Sequence, residues 1–173
     1  MNGMKLGVPK EPTGEQRVGI VPSSMKKLAK AGFEVYVESG AGVAANYLDQ
    51  DYIDAGAHVV SRAEAMACEN IVAVRFPGLE GVAAGTNLAC VADPFRHPEH
   101  VKACMEANVT LLSMDMIPRR LSRAQSMDVN SSQDNLAGYK AVLLGASQVP
   151  KGIPMMTTSA GTVRPAKVVI MGS

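Results

Sequence analysis

The sequence predicts an α/β fold: a parallel sheet of about five strands with helices on both faces, of the flavodoxin or Rossmann-like kind. A long connecting helix and the first strand of a second, incomplete Rossmann unit are expected to follow. Three observations lead there. Short apolar runs alternate with helix-period stretches as far as Ser113, the joints between them are brief, and glycine or serine punctuates most of them. Strand–helix alternation with such short connections favours parallel strands covered on both sides.

The elements follow in order. Lys5–Val8 reads as a buried strand, and Pro22-Ser23-Ser24 opens a helix over Met25–Ala31, with serine as the cap and Gly32 as the stop. Phe33–Val37 is the next strand, closed by Ser39-Gly40. A short helix over Asp51–Ala55 ends at Gly56 and feeds the strand His58–Val60, where His58 is expected in the core. Ser61 caps a helix over Arg62–Cys68, and Ile71–Val74 returns as a strand. Asn87–Val91, the helix Pro98–Ala107 and the strand Val109–Ser113 repeat the pattern. One helical stretch then runs from Ser122 to Ser147, broken by Pro150, Gly152 and Pro154. After a linker containing Ser159-Ala160-Gly161, the run Lys167-Val168-Val169-Ile170-Met171-Gly172-Ser173 resembles a first Rossmann strand entering its phosphate turn. The expected division is therefore 1–121, 122–147 and 148–173.

Composition narrows the function classes. The 173 residues are 47% hydrophobic and 19% charged, as in an ordinary globular chain. Seventeen Lys and Arg against 16 Asp and Glu leave a net charge of +1, which argues against nucleic acid or an anionic membrane as a partner. No stretch approaches the roughly 20 apolar residues that span a bilayer, so direct membrane insertion is not expected. Cys68, Cys90 and Cys104 form no CxxC pair, and the N-terminus has no apolar signal core, so reduced thiols in the cytoplasm are expected.

The segment most suggestive of chemistry runs from Pro118 to Val142. If it is helical from Arg123, then Gln125, Asp128, Ser132, Asn135 and Tyr139 share one face, and Ser131 borders it. Such a stripe of amide, carboxylate, hydroxyl and phenol can orient a flat, amide-bearing ring. The same periodicity also suits a plain solvated face. Asn, Ser and Gly cost helix stability, which weighs against the plain surface.

The string Ser-Arg-Ala-Gln-Ser-Met-Asp (122–128), followed by Ser-Ser-Gln-Asp-Asn-Leu-Ala-Gly-Tyr-Lys-Ala-Val (131–142), resembles the NAD(H)-binding domain of the NAD(P) transhydrogenases, in the alanine dehydrogenase/transhydrogenase N-terminal family. The resemblance runs from Met4–Glu11 through Glu15–Val18, Glu38–Gly42, Asn108–Thr110 and Met114–Arg119 to Thr158–Val163. It implies an oxidoreductase subunit that holds NAD(H) beside NADP(H) on a partner domain. Hydride then passes directly between the nicotinamides, while membrane subunits couple the transfer to proton translocation. It also implies a homodimer, attached to the inner membrane through its partners. By resemblance Arg120, Gln125, Asp128 and Ser131 bind the cofactor at the nicotinamide end, with Gln125 and Asp128 at the transfer point. The family spaces its proline and motif arginine one residue closer, so Arg119-Arg120 reads as an insertion and both compete for that role. Asn130 stands where an apolar residue is usual, and Asp134 where a small one is.

Other candidates follow from the same resemblance. Alanine dehydrogenases share the opening Lys10, Glu11 and Glu15-Gln16-Arg17-Val18 and use the arginine to grip a keto-acid carboxylate, a fork-to-carboxylate match. Ala73 and Asp93 stand where that enzyme has Lys and His, and Arg75 is two residues displaced. The keto-acid site is therefore expected to be dismantled and Arg17 to be structural. His97 and His100 flank Pro98-Glu99 at a helix start and are expected to cap it or face solvent; no metal site is expected. The chain stops within a strand-to-glycine step, so it reads as a front fragment, with a dimerisation or assembly module as the reading from another class.

Overall fold

The computed structural model describes residues 3–171, in two compact units divided in sequence between Asp128 and Val129. In the first unit β1 (Met4–Val8), β2 (Phe33–Glu38), β3 (His58–Val60), β4 (Asn70–Arg75), β5 (Asn87–Val91) and β6 (Thr110–Ser113) form one sheet. Its order is β3-β2-β1-β4-β5-β6, and every pairing is parallel. The sheet is thus one strand wider than expected.

The helices α1 (Met25–Lys30), α2 (Asp49–Asp54), α3 (Arg62–Met66) and α4 (Pro98–Glu106) supply the crossovers. Successive strand residues face opposite sides. Leu6 and Val8 join Val35, Val37, Met25 of α1 and Tyr52 of α2 in one apolar cluster. Gly7, between them, faces the other way, where an added Cβ would overlap the carbonyl oxygen of Ala65 in α3. Helices therefore cover both faces at β1, as the apolar runs predict. A second cluster joins Ile71, Leu88, Cys90 and Cys104. All three cysteines are free and buried, and burial pushes the Cys90 thiol up to about 12.

Local signals explain most boundaries. Ser61 caps α3 by accepting from Glu64 N, while the Glu64 carboxylate returns to Ser61 N at 2.9 Å. Gly32 and Gly56 end α1 and α2 at φ 89° and 93°. Ser24 does not cap α1, because Pro22–Ser24 is itself a 3-10 turn. His58 is exposed rather than in the core: β3 is an edge strand, and the imidazole stacks on Tyr36 at 4.9 Å.

The second unit holds α5 (Val129–Gln148) and an antiparallel hairpin of β7 (Met156–Thr158) and β8 (Gly161–Val163). The expected helix from Ser122 starts instead at Val129. Gln125–Met127 is a 3-10 turn, and Asp128 has ψ 89°, off the helical path. Asp competes for backbone donors and favours the position before a helix over its interior. The hairpin arises where a linker was expected, and Gly161 supports its turn at φ 124°. The expected strand at Lys167–Met171 is absent as a strand. No described strand pairs with it, and an extended run without a ladder partner gains none of the hydrogen bonds that define one. Gly172 and Ser173 of that expected strand lie outside the described residues.

Candidate functional site

Three constellations gather beyond the carboxyl ends of the strands. The strand order reverses between β1 and β4, the switch point where open parallel sheets tend to bind ligands. Here the chain fills that position itself. After β1 comes Pro9-Lys10-Glu11-Pro12 in place of a glycine-rich turn. The Glu11 carboxylate accepts from Val74 N at 2.6 Å and Arg75 N at 2.9 Å. The register of β4 against β5 slips between Val72 and Arg75, and Glu11 satisfies backbone donors at that slip. Burial raises the Glu11 pKa, and the two backbone donors pull it back only in part.

Beside it, Glu15 receives both arms of the Arg17 guanidinium, Nε at 2.8 Å and Nη2 at 2.7 Å, and also Arg75 Nε at 3.2 Å. The Arg17 guanidinium holds the Glu15 carboxyl down at about 2. Arg17's fork is therefore occupied by a carboxylate of its own chain, in keeping with the structural role expected for it. Ala73 is buried in the core, and Asp93 has a left-handed backbone, φ 46°.

The second constellation lines a cavity of about 290 Å³ with Arg75, Phe76, Val91, Ala92, Asp93, His97 and His100. His100 stacks on Phe76 at 4.1 Å and, through Nδ1, meets the Ala92 carbonyl at 2.9 Å. His97 occupies the position before α4 but makes no side-chain cap; its Nδ1 meets Glu99 at 2.9 Å instead.

The third is the Pro118–Asp128 segment. The Asp115 carboxylate ties the chain after β6 to the end of β5, accepting from Ala92 N at 3.3 Å and Asp93 N at 3.1 Å. A succession of tight turns follows: Leu121 N to Pro118 O, Ala124 N to Leu121 O, Met127 N to Ala124 O. Buried Ala124 anchors this coil and leaves Gln125 exposed beside it. Arg119 Nε lies 3.8 Å from the Asp128 carboxylate, which is only 10% exposed. Of the two adjacent arginines it is Arg119 that holds Asp128; Arg120 is exposed. The single helical stripe expected from Gln125 to Tyr139 is thus divided. Gln125 and Asp128 belong to the turn before α5, while Ser132, Asn135 and Tyr139 keep their spacing on the helix, and Ser131 stands in its first turn. Sequence reasoning overlooked the Glu11 bridge and the Arg119–Asp128 pair. The cap-favouring aspartate at 128 was the available signal for the break.

A six-stranded parallel sheet in this order, with helices on both faces, defines a doubly wound domain of the Rossmann-like class. The chain belongs to the family described as alanine dehydrogenase/PNT, N-terminal domain, whose model matches residues 7–137. It is 43% identical to the first of the proteins that make up NAD(P) transhydrogenase subunit alpha in Rhodospirillum rubrum, over 98% of this chain and 47% of that protein. It superposes on the crystal structure of transhydrogenase from Sinorhizobium meliloti with TM-score 0.89 and 41% identity, over 94% of this chain and 50% of that one. An L-alanine dehydrogenase structure is more distant, with TM-score 0.64 and 33% identity over 69% of this chain and 34% of that one. The chain spans about half the length of the two transhydrogenase relatives. No helix among the described residues is long and apolar enough to cross a membrane.

Proposed function

We propose that this chain is the front part of the NAD(H)-binding subunit of a proton-translocating NAD(P) transhydrogenase, passing hydride between NADH and NADP⁺. The observation that carries this reading is the Gln125–Met127 turn, which offers an exposed amide beside a carboxylate held by Arg119. The names of its relatives point the same way. In this reading Gln125 and Asp128 align the nicotinamide at the transfer point, and exposed Arg120 reaches the cofactor's amide or phosphates. Ser131 completes the set. The hydride step needs no protein acid or base, so the side chains orient the rings and exclude water.

The same reading gives residues 1–121 to the first domain, 122–147 to the connection and 148–173 to the approach to a nucleotide-binding domain. NADP(H) sits on a partner domain, membrane subunits carry the protons, and the subunit is a homodimer in the cytoplasm, peripheral to the inner membrane. The keto-acid alternative is disfavoured because Arg17 is engaged by Glu15, Ala73 offers no cation and Asp93 would repel a substrate carboxylate.

The deciding assay uses the longer protein that contains this chain, with and without its NADP(H)-binding partner. Hydride exchange between the two nucleotides should appear only with the partner, and alanine or pyruvate plus ammonia should give no turnover. Alanine-dependent NAD⁺ reduction well above background would replace this reading with an amino-acid dehydrogenase.

A further inference from the structure

From the side chains gathered at the start of α4, we infer a binding site for a divalent transition-metal ion of the zinc class, with His97, Glu99 and His100 as ligands. The inference is independent of the hydride-transfer reading. One potential ligand atom from each of the three lies within 4.8 Å of the others. The sequence alone suggested two histidines without a carboxylate partner; the helix start brings Glu99 to them.

The hydrogen bonds also decide which nitrogens are available. A carbonyl oxygen can only accept, so the contact with Ala92 O at 2.9 Å places the proton on His100 Nδ1 and leaves Nε2 with a bare lone pair. Glu99 accepts from His97 Nδ1 at 2.9 Å, with the same consequence for His97 Nε2. An orienting acceptor behind the ring, with the opposite nitrogen exposed, is the arrangement that metal-ligating histidines require. His100 is further immobilised by Phe76, stacked at 4.1 Å and 15°.

His97 and His100 lie side by side, with ring centroids 4.9 Å apart and planes at 22°. Donors about 2 Å from a tetrahedral ion stand roughly 3.3 Å from each other, so the set must contract. The adjustable members are His97 and Glu99, whose side chains are 50% and 65% exposed. A swing of these two toward the fixed His100 closes the triad, and water takes the fourth position. Two imidazoles and one carboxylate suit Zn²⁺, Ni²⁺ or Cu²⁺ and not Mg²⁺, which prefers an octahedron of oxygens. The positive end of α4 opposes any cation, which limits affinity, and the Glu99 charge offsets it.

Titration calorimetry of the 173-residue chain with zinc chloride at neutral pH tests the site. The expected result is one ion per chain at micromolar affinity, unaffected by excess magnesium. His97→Ala and His100→Ala should each weaken binding about tenfold or more, and Glu99→Gln should weaken it less. His58→Ala, on β3, should bind as the parent does. Circular dichroism identifies any variant that loses its fold, and Glu99→Gln, an exposed near-isostere, keeps the test open if His100→Ala does. Histidine ring NMR should report zinc-dependent shifts at His97 and His100 alone. Absence of saturable binding, or unchanged affinity in the folded His97→Ala variant, would overturn the inference.

Discussion

Glu15 joins three segments of chain through one carboxylate, since Arg17 and Arg75 both donate to it while its side chain is only 12% exposed. Its pKa is lowered from 4.5 to about 2, so the folded state holds the ionised form more tightly than the unfolded chain does. The stabilisation is fully present above pH 4.5 and is lost as pH falls toward 2. Glu15→Gln should therefore lower stability near neutral pH and flatten the acid limb of a denaturation profile followed by circular dichroism. An unchanged acid limb would mean that the arginines do not stabilise the carboxylate as described. Further along, Gln125 and Asp128 bear on chemistry. In the complete enzyme, Gln125→Asn or Asp128→Asn should slow hydride transfer on the order of 10²-fold, the usual effect of misplacing reacting groups by about an ångström. NADH affinity should change little, because alignment is lost and ground-state grip is not. Stopped-flow rates at the parent level would remove both residues from the site.

At the scale of the element, β1 is the narrowest place in the fold. Leu6 and Val8 point into one apolar cluster, whereas Gly7 lets the backbone of α3 approach the sheet so closely that no side chain fits. Gly7→Ala must push α3 outward, a shift of backbone against backbone that no rotamer can absorb. The expected cost is about 2–3 kcal/mol, at the upper end for overpacking, read as a lower midpoint in thermal or urea denaturation. The helix expected from Ser122 teaches a different lesson. A periodicity of three and four residues also fits a chain that turns tightly before a helix. Asp128 breaks the helix by a local preference that periodicity does not register. Gln125 consequently projects from a turn instead of a helix face, where its amide is free of the ridge-and-row geometry of α5.

For the molecule as a whole, the question is where a dinucleotide would find its affinity. The sheet has Rossmann order, but Glu11 already accepts the backbone donors of Val74 and Arg75 near the switch point, and β1 leads into Pro9-Lys10-Glu11-Pro12. Pyrophosphate binding normally relies on a glycine turn and the start of a helix. The 173-residue chain should consequently show no micromolar NADH binding in titration calorimetry, whereas the longer protein should. Micromolar binding to the short chain would place the adenosine and phosphate contacts within these residues and overturn the division of labour proposed above.

Much of this was determined by the sequence alone. The six apolar runs of the first unit became six strands because each is buried and short, and the glycines at 32 and 56 ended helices because only a residue without Cβ accepts that backbone at no cost. The Arg-Ala-Gln-Ser-Met-Asp string was equally legible, since it rests on residue identity. The tertiary structure decided what depends on neighbours distant along the chain. It moved His58 to an exposed edge, gave Arg119 to Asp128, and set Glu11 against donors 63 and 64 residues away. It also left the apolar run at Lys167–Met171 without a strand partner. Periodicity reports which face of an element is apolar, but which group lies across the gap is settled only when the strands take their places in the sheet.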